Sequence, residues 1–211
     1  MKYIKLFENF EGYDPYELMI TPPGKKAEMI IREIEKEESN MTLVRDLIIL
    51  GANVDWHDEK GLTALHVCAN GNHLEIAKML IDAGADLNMQ DKYGWTALHF
   101  CAEWNYLEIA RMLIDAGADL NIQYQYGMTA LHVCANGNHL EIAKMLIDAG
   151  ADLNMQDDDG RTALHICAKW NRPEILRMLI ESGADKTIPN NDGKLPYELA
   201  DTQELKELLK P

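Results

Sequence analysis

The residues of this chain best suited to chemistry are four histidine–x–cysteine pairs: His66/Cys68, His99/Cys101, His132/Cys134 and His165/Cys167. Imidazole and thiolate are common zinc ligands, and a thiol beside an imidazole is the pairing of a cysteine nucleophile. In "HFCAEWNYLEIA", His99 to Ala110, one pair stands with Glu103, Trp104 and Glu108. The spacing argues against both uses. The pairs recur at intervals of 33 residues, so a shared metal would need ligands from successive copies to converge at about 2.3 Å. Neighbouring helices pack roughly 8–10 Å apart, whereas a disulfide needs Cα atoms within about 7 Å. Catalysis would require four equivalent sites without a dedicated nucleophile. His57, His73 and His139 fall on loop or turn positions with no partner spacing. No metal-ligand motif, glycine-rich phosphate loop or nucleophile elbow occurs. The cysteines are therefore expected in the core; no catalytic residue, metal or cofactor is assigned, and the chain is not expected to be an enzyme.

The elements that carry these residues repeat with them. Gly61, Gly94, Gly127, Gly160 and Gly193 are each 33 residues apart, and the segments Gly61–Asp91 and Gly127–Asp157 differ only at Leu62 versus Met128. Each unit reads as helix, turn, helix and extended loop. Thr63, Thr96, Thr129 and Thr162 are suited to capping the first helix. Asn70-Gly71-Asn72 breaks it, Leu74 to Ala83 carries an apolar stripe, and Gly84 sits where a glycine closes the second helix.

These copies resemble the ankyrin repeat. "DEKGLTALHVCA" followed by "HLEIAKMLIDAGADLN" is close to that family's G-x-T-P-L-H-x-A…G-A-D-x-N pattern. Ala64, Ala97, Ala130 and Ala163 stand for its usual proline, which Pro196 restores, and Asn72, Asn105, Asn138 and Asn171 for a usual glycine. The resemblance implies an all-α ankyrin-repeat solenoid of stacked antiparallel helix pairs with protruding β-hairpin-like loops, in which the recurrent histidine braces adjacent loops. It divides the chain into a leader, residues 1–24, and a repeat domain, residues 25–211. The units are an N-terminal capping repeat at 25–57, then 58–90, 91–123, 124–156 and 157–189, and a C-terminal capping repeat at 190–211. The first cap is expected to use "EMIIREIEKE" as its first helix, and the last ends in the polar helix "TQELKELLK"; such solvent-compatible ends are what stacked repeats need. Leader aromatics Tyr3, Phe7, Phe10, Tyr13 and Tyr16 either pack on the first repeat or serve as a docking peptide.

A net charge of −15 repels phosphate backbones and anionic bilayers, so neither nucleic acid nor membrane is expected as a partner, and a neutral or basic protein is. No apolar run approaches the roughly 18 residues of a membrane span, and the first residues lack the apolar core of a secretory signal. With four free thiols, this places the chain in the reducing cytoplasm as an expectation. Glu75, Lys78 and Asp82, and likewise Glu108, Arg111 and Asp115, are spaced as ion pairs on a solvated helix face. Asn88, Asn121 and Asn154 lie where some ankyrin proteins are hydroxylated; a bond to local backbone accounts for them more simply.

Partner specificity should reside where the copies differ. They differ at the loop tips, at the residue after each anchor glycine, and at the end of each first helix. By the family resemblance these are fingertip and concave-groove positions. The candidate partner-binding residues are Tyr93, Trp95, Glu103, Trp104, Tyr124, Tyr126, Met128, Arg161, Lys169 and Trp170, of which the Trp, Tyr, Met and Arg are types enriched at interfaces. Tyr124 also replaces the aspartate that opens the other loops, so its turn is expected to differ. The reading is a protein–protein interaction module, expected as a monomer. The alternatives are a self-assembling or architectural repeat protein and, more weakly, a metal- or ligand-dependent activity on the His/Cys rows.

Overall fold

The computed structural model describes residues 14–36 and 40–210. Leader residues Tyr3, Phe7, Phe10 and Tyr13 lie outside this range. Among the described residues there are thirteen helices and no strand: α1 (Pro15–Ile20), α2 (Pro23–Ile34), α3 (Met41–Ile49), α4 (Ala64–Gly71), α5 (Leu74–Asp82), α6 (Ala97–Trp104), α7 (Leu107–Asp115), α8 (Ala130–Gly137), α9 (Leu140–Asp148), α10 (Ala163–Lys169), α11 (Pro173–Glu181), α12 (Pro196–Leu199) and α13 (Gln203–Leu209). Consecutive helices pair from α2–α3 to α12–α13, and the first helices of the pairs stack in one row, α2, α4, α6, α8, α10, α12. The second helices form a parallel row from α3 to α11. The molecule is an all-α solenoid.

Local chemistry explains the boundaries. Thr63 caps α4 through His66, and the left-handed Asn72 (φ 57°) ends it. At the end of α5 the Gly84 amide bonds Ile81 O and the Ala85 amide bonds Leu80 O, at 2.9 and 3.0 Å. This closure needs a left-handed residue, and Gly84 supplies it at φ 83°. Ala64, Cys68 and Ala69 are buried on α4, as are their counterparts on α6, α8 and α10, which lets the first helices approach closely. Ile76, Ala77 and Leu80 close the core from α5. Each fully buried leucine or isoleucine contributes about 1.5–3 kcal/mol.

The ends depart from expectation. The helix sought in "EMIIREIEKE" begins earlier, at Pro23, because a proline at the first helical turn loses no hydrogen bond. Its buried Lys26 donates to Leu50 O at 2.7 Å, and buried Glu33 accepts from the Asn40 amide and pairs with Lys36. α1 sends Leu18 into the common core while Tyr16, Met19 and Ile20 stay exposed. α13 is polar outside but buries Leu205 and Leu209.

The loops are tied to each other. The Lys92 amide bonds Lys60 O, Gln125 bonds Tyr93 O, Asp158 bonds Tyr126 O and Asn191 bonds Asp159 O, at 2.8–3.0 Å. Gln90 and Gln156 each bridge two loops with one side-chain amide. Asn88, Asn121 and Asn154 bond not local backbone but the next unit's, accepting from Asp119, Asp152 and Asp185 amides at 2.8 Å. The expected charge pairs mostly do not form: among the described residues only the Lys144–Asp148 counterpart closes, at 2.5 Å. Exposed pairs of this kind gain too little to hold long side chains in place.

Candidate functional site

The His/Cys rows are scaffold. The Thr63 amide donates to His66 Nδ1 at 3.1 Å, so Nε2 carries the proton and donates to Trp95 O and Met89 O at 3.0 Å. His132 and His165 repeat the arrangement, reaching Arg161 O and Lys194 O at 3.1 Å. Burial lowers the pKa of all three. The four cysteines are free and buried. Burial pushes the thiols of Cys68, Cys101 and Cys134 far above their ordinary range, and that of Cys167 up to about 12. Among the described residues no group of three or more His, Cys, Asp or Glu is placed to hold a metal.

One loop breaks the pattern, and its cause is a single residue. Elsewhere the opening side chain organises the tip: Asp58 Oδ1 accepts from the Lys60 and Leu62 amides, Asp91 Oδ1 from Tyr93 and Trp95, Asp157 Oδ1 from Asp159 and Arg161, and Asn190 Oδ1 from Asp192 and Lys194. Tyr124 has no such acceptor. The tip turns differently, and Tyr126 takes φ 84°, where a non-glycine residue is strained. The receiving end changes with it. By the 29-residue rule of its counterparts His99 Nε2 should reach Met128 O, yet it makes no hydrogen bond of good geometry. Burial pushes the His99 pKa down to about 4, against the pull of the Met128 and Ile122 carbonyls. Tyr124 turns inward instead. Its ring lies 4.7 Å from Trp95 and 5.3 Å edge-on to His99, and its hydroxyl donates to Met128 Sδ at 3.3 Å.

The ten candidates therefore divide. Tyr93, Trp104, Tyr126 and Trp170 are exposed by 52, 54, 62 and 52%. Glu103 and Lys169 are exposed beside their tryptophans, and Lys169 Nζ stands 5.4 Å over the Trp170 ring. Trp95, Tyr124 and Met128 are half-buried and pack on one another. Arg161 is bound to Asp157 and Asp159 at 2.8 and 3.0 Å. Trp104 also touches the scaffold next door, where its Nε1 donates to Asn70 Oδ1 at 2.9 Å.

Phe100, not among the candidates, proves central. It stands where the other copies carry Val67, Val133 or Ile166, and its ring lies 5.0 Å from Trp95. With Leu62 it floors two adjoining troughs. One, of about 220 Å³, is lined by Lys60, Asp91, Tyr93 and Trp95 and exposes a wholly apolar wall. The other, of about 300 Å³, is rimmed by Glu35, Asn70 and His73. A further pairing was readable in the copies. A Cβ on Gly71 would lie 2.3 Å from His73 Nε2, and Gly137 stands in the same relation to His139. Where the glycine becomes Trp104 or Trp170, the histidine becomes Tyr106 or Arg172.

A search of curated proteins finds no match to the chain. A family model described as "Ankyrin repeats (3 copies)" matches residues 34–124 and 118–190, well over half of the sequence. Proteins of this family serve generally as protein–protein interaction modules. With its stacked helix pairs and bonded loops, the chain belongs to the ankyrin-repeat family.

Proposed function

We propose that the chain works by binding rather than catalysis, holding a partner protein along the face formed by its loop tips and first-helix ends. The observation that carries this reading is the exposure of Tyr93, Trp104, Tyr126 and Trp170 at positions where sister copies manage with lysine, aspartate or glycine. Sister copies fold without them, and large exposed aromatics of this kind are the usual anchors of an interface. The net charge of −15 favours a partner that is neutral or basic overall. Four free thiols suit the cytoplasm. The units 58–90, 91–123, 124–156 and 157–189, between caps at 25–57 and 190–211, are the modules of this surface.

Single substitutions Tyr93→Ala, Trp104→Ala, Tyr126→Ala and Trp170→Ala test it, each followed by melting temperature and by pull-down of the partner from native lysate. The expected outcome is loss of partner with nearly unchanged stability. A fall of about 3–5 kcal/mol, typical of a buried aromatic, would assign these residues to the core instead. Self-association is the second reading, favoured by exposed Tyr16, Met19 and Ile20 on one side of α1. Light scattering across a concentration series removes it if the mass stays that of one chain.

A further inference from the structure

The two troughs over Leu62 and Phe100 differ in charge although they share a floor. The larger has Glu35 on its rim and no lysine or arginine in its lining. Glu35 is exposed and caps the C-terminus of α2, and Asn70 and Gly71 bring the last turn of α4 to the same place. The partial negative charge of helix C-termini adds to that of the carboxylate and favours a cation there. Lys36, the next residue, is held by Glu33. The smaller trough carries no net charge. Its exposed wall is apolar, aromatic rings of Tyr93, Trp95 and Phe100 line it, and Lys60 at its edge is offset by Asp91, whose carboxylate already accepts from the Tyr93 and Trp95 amides. At about 220 Å³ it exceeds the roughly 150 Å³ cavity that holds a benzene ring.

Building on the recognition reading above, we propose that these troughs form one bipartite site for a short partner segment carrying a basic and a bulky apolar side chain in neighbouring positions. The basic head meets Glu35 and the C-terminal ends of α2 and α4, its methylene stem covers Val67 and Phe100, and the apolar side chain fills the space between Leu62, Tyr93 and Trp95. The apolar floor lets a lysine or arginine bury its stem and keep its charge in water. Within a Debye length of about 8 Å the local pattern governs orientation: the basic residue lies toward the helix ends and the apolar one toward the tips.

Fluorescence anisotropy on the full chain tests this with three labelled peptides: one bearing Arg-x-Phe, one with Glu for the Arg, and one with Ala for the Phe. The Arg-x-Phe probe should bind at least tenfold more tightly than either control and weaken as salt is raised. Glu35→Lys should reverse the preference between the Arg and Glu probes while leaving the melting temperature in place, since Glu35 is exposed; Glu35→Gln should abolish the preference without reversing it. Equal binding of the three peptides, or a preference indifferent to Glu35, overturns the proposal. The chain's own Lys5-Leu6-Phe7 has related chemistry. If Lys5→Glu or Phe7→Ala tightens binding of the probe, the occupant is that segment, and a partner segment is ruled out. A lysate partner lost with Trp104→Ala but kept with Glu35→Lys also overturns this site while leaving the recognition reading standing. Retention by all four aromatic variants overturns the recognition reading itself.

Discussion

Two chemically identical substitutions should move stability in opposite directions. Tyr93 and Tyr126 occupy the same tip position one unit apart, are 52 and 62% exposed, and each makes one ring contact, with Lys92 at 4.9 Å and with Tyr124 at 6.4 Å. They differ in backbone: Tyr126 has φ 84°, and Tyr93 is not among the positive-φ residues. A left-handed non-glycine residue costs about 1–2 kcal/mol, whereas glycine in ordinary backbone loses about 0.5–1 kcal/mol through the entropy of the unfolded chain. Tyr93→Gly should therefore destabilise by about 0.5–1 kcal/mol. Tyr126→Gly should be neutral or stabilise by up to about 1 kcal/mol, because release of strain offsets the entropy. The difference of about 1–2 kcal/mol corresponds to roughly 2–8 °C in melting temperature for a chain of this size. Urea and thermal unfolding of the two variants, accepted only with unchanged m-values, measure it. Equal losses in both would refute the claim that the missing carboxylate at Tyr124 strains this turn.

Acid should weaken the fold through its buried histidines. Their folded pKa values lie below the unfolded value near 6.5, so the unfolded state takes up protons first. Stability is complete above pH 6.5 and falls as pH drops, His99 alone contributing about 3 kcal/mol of the loss by pH 4; an unfolding free energy that stays level from pH 7 to 4.5 would contradict this. The four thiols should resist an aromatic disulfide reagent in the native protein and all react once it is unfolded, since burial raises their pKa and closes access; rapid labelling of the folded chain would show the row to be accessible. Gly71→Trp should displace the His73 ring, and adding His73→Tyr should recover about 0.5–1 kcal/mol as coupling in a double-mutant cycle; strictly additive effects would break the pairing inferred from the copies.

Much of this was legible because a repeat writes its rules several times over. Thr63, His66 and Cys68 recur because each bears on the stacking of neighbours, and recurrence alone separated them from a reactive cluster. The altered turn at Tyr124 was legible for the same reason. What periodicity could not disclose was direction. Trp95, Tyr124 and Met128 vary between copies as exposed residues do, yet they vary together and fill one another's space. Arg161 differs from its counterparts Leu62, Trp95 and Met128, but that difference did not disclose that Asp157 and Asp159 hold it. Phe100 escaped notice because phenylalanine for valine looks conservative on a core helix, though at the helix surface it creates the floor of a groove. The start of α2 was missed because prolines mark a break in sequence and a beginning in structure.

The poorly aligned His99 bond also has a mechanical side. Because each unit bears only on its neighbours, tension along the axis passes through every joint in turn, like load through links of a chain. His66, His132 and His165 rivet their joints to the following loop, and His99 holds its own more loosely, through the Met128 and Ile122 carbonyls. Stretched from its ends, the array should lose less resistance on His99→Ala than on His132→Ala, and a pulling experiment on the two variants would measure the difference. The face proposed for binding, from Trp104 to Trp170, spans that looser tie at its middle.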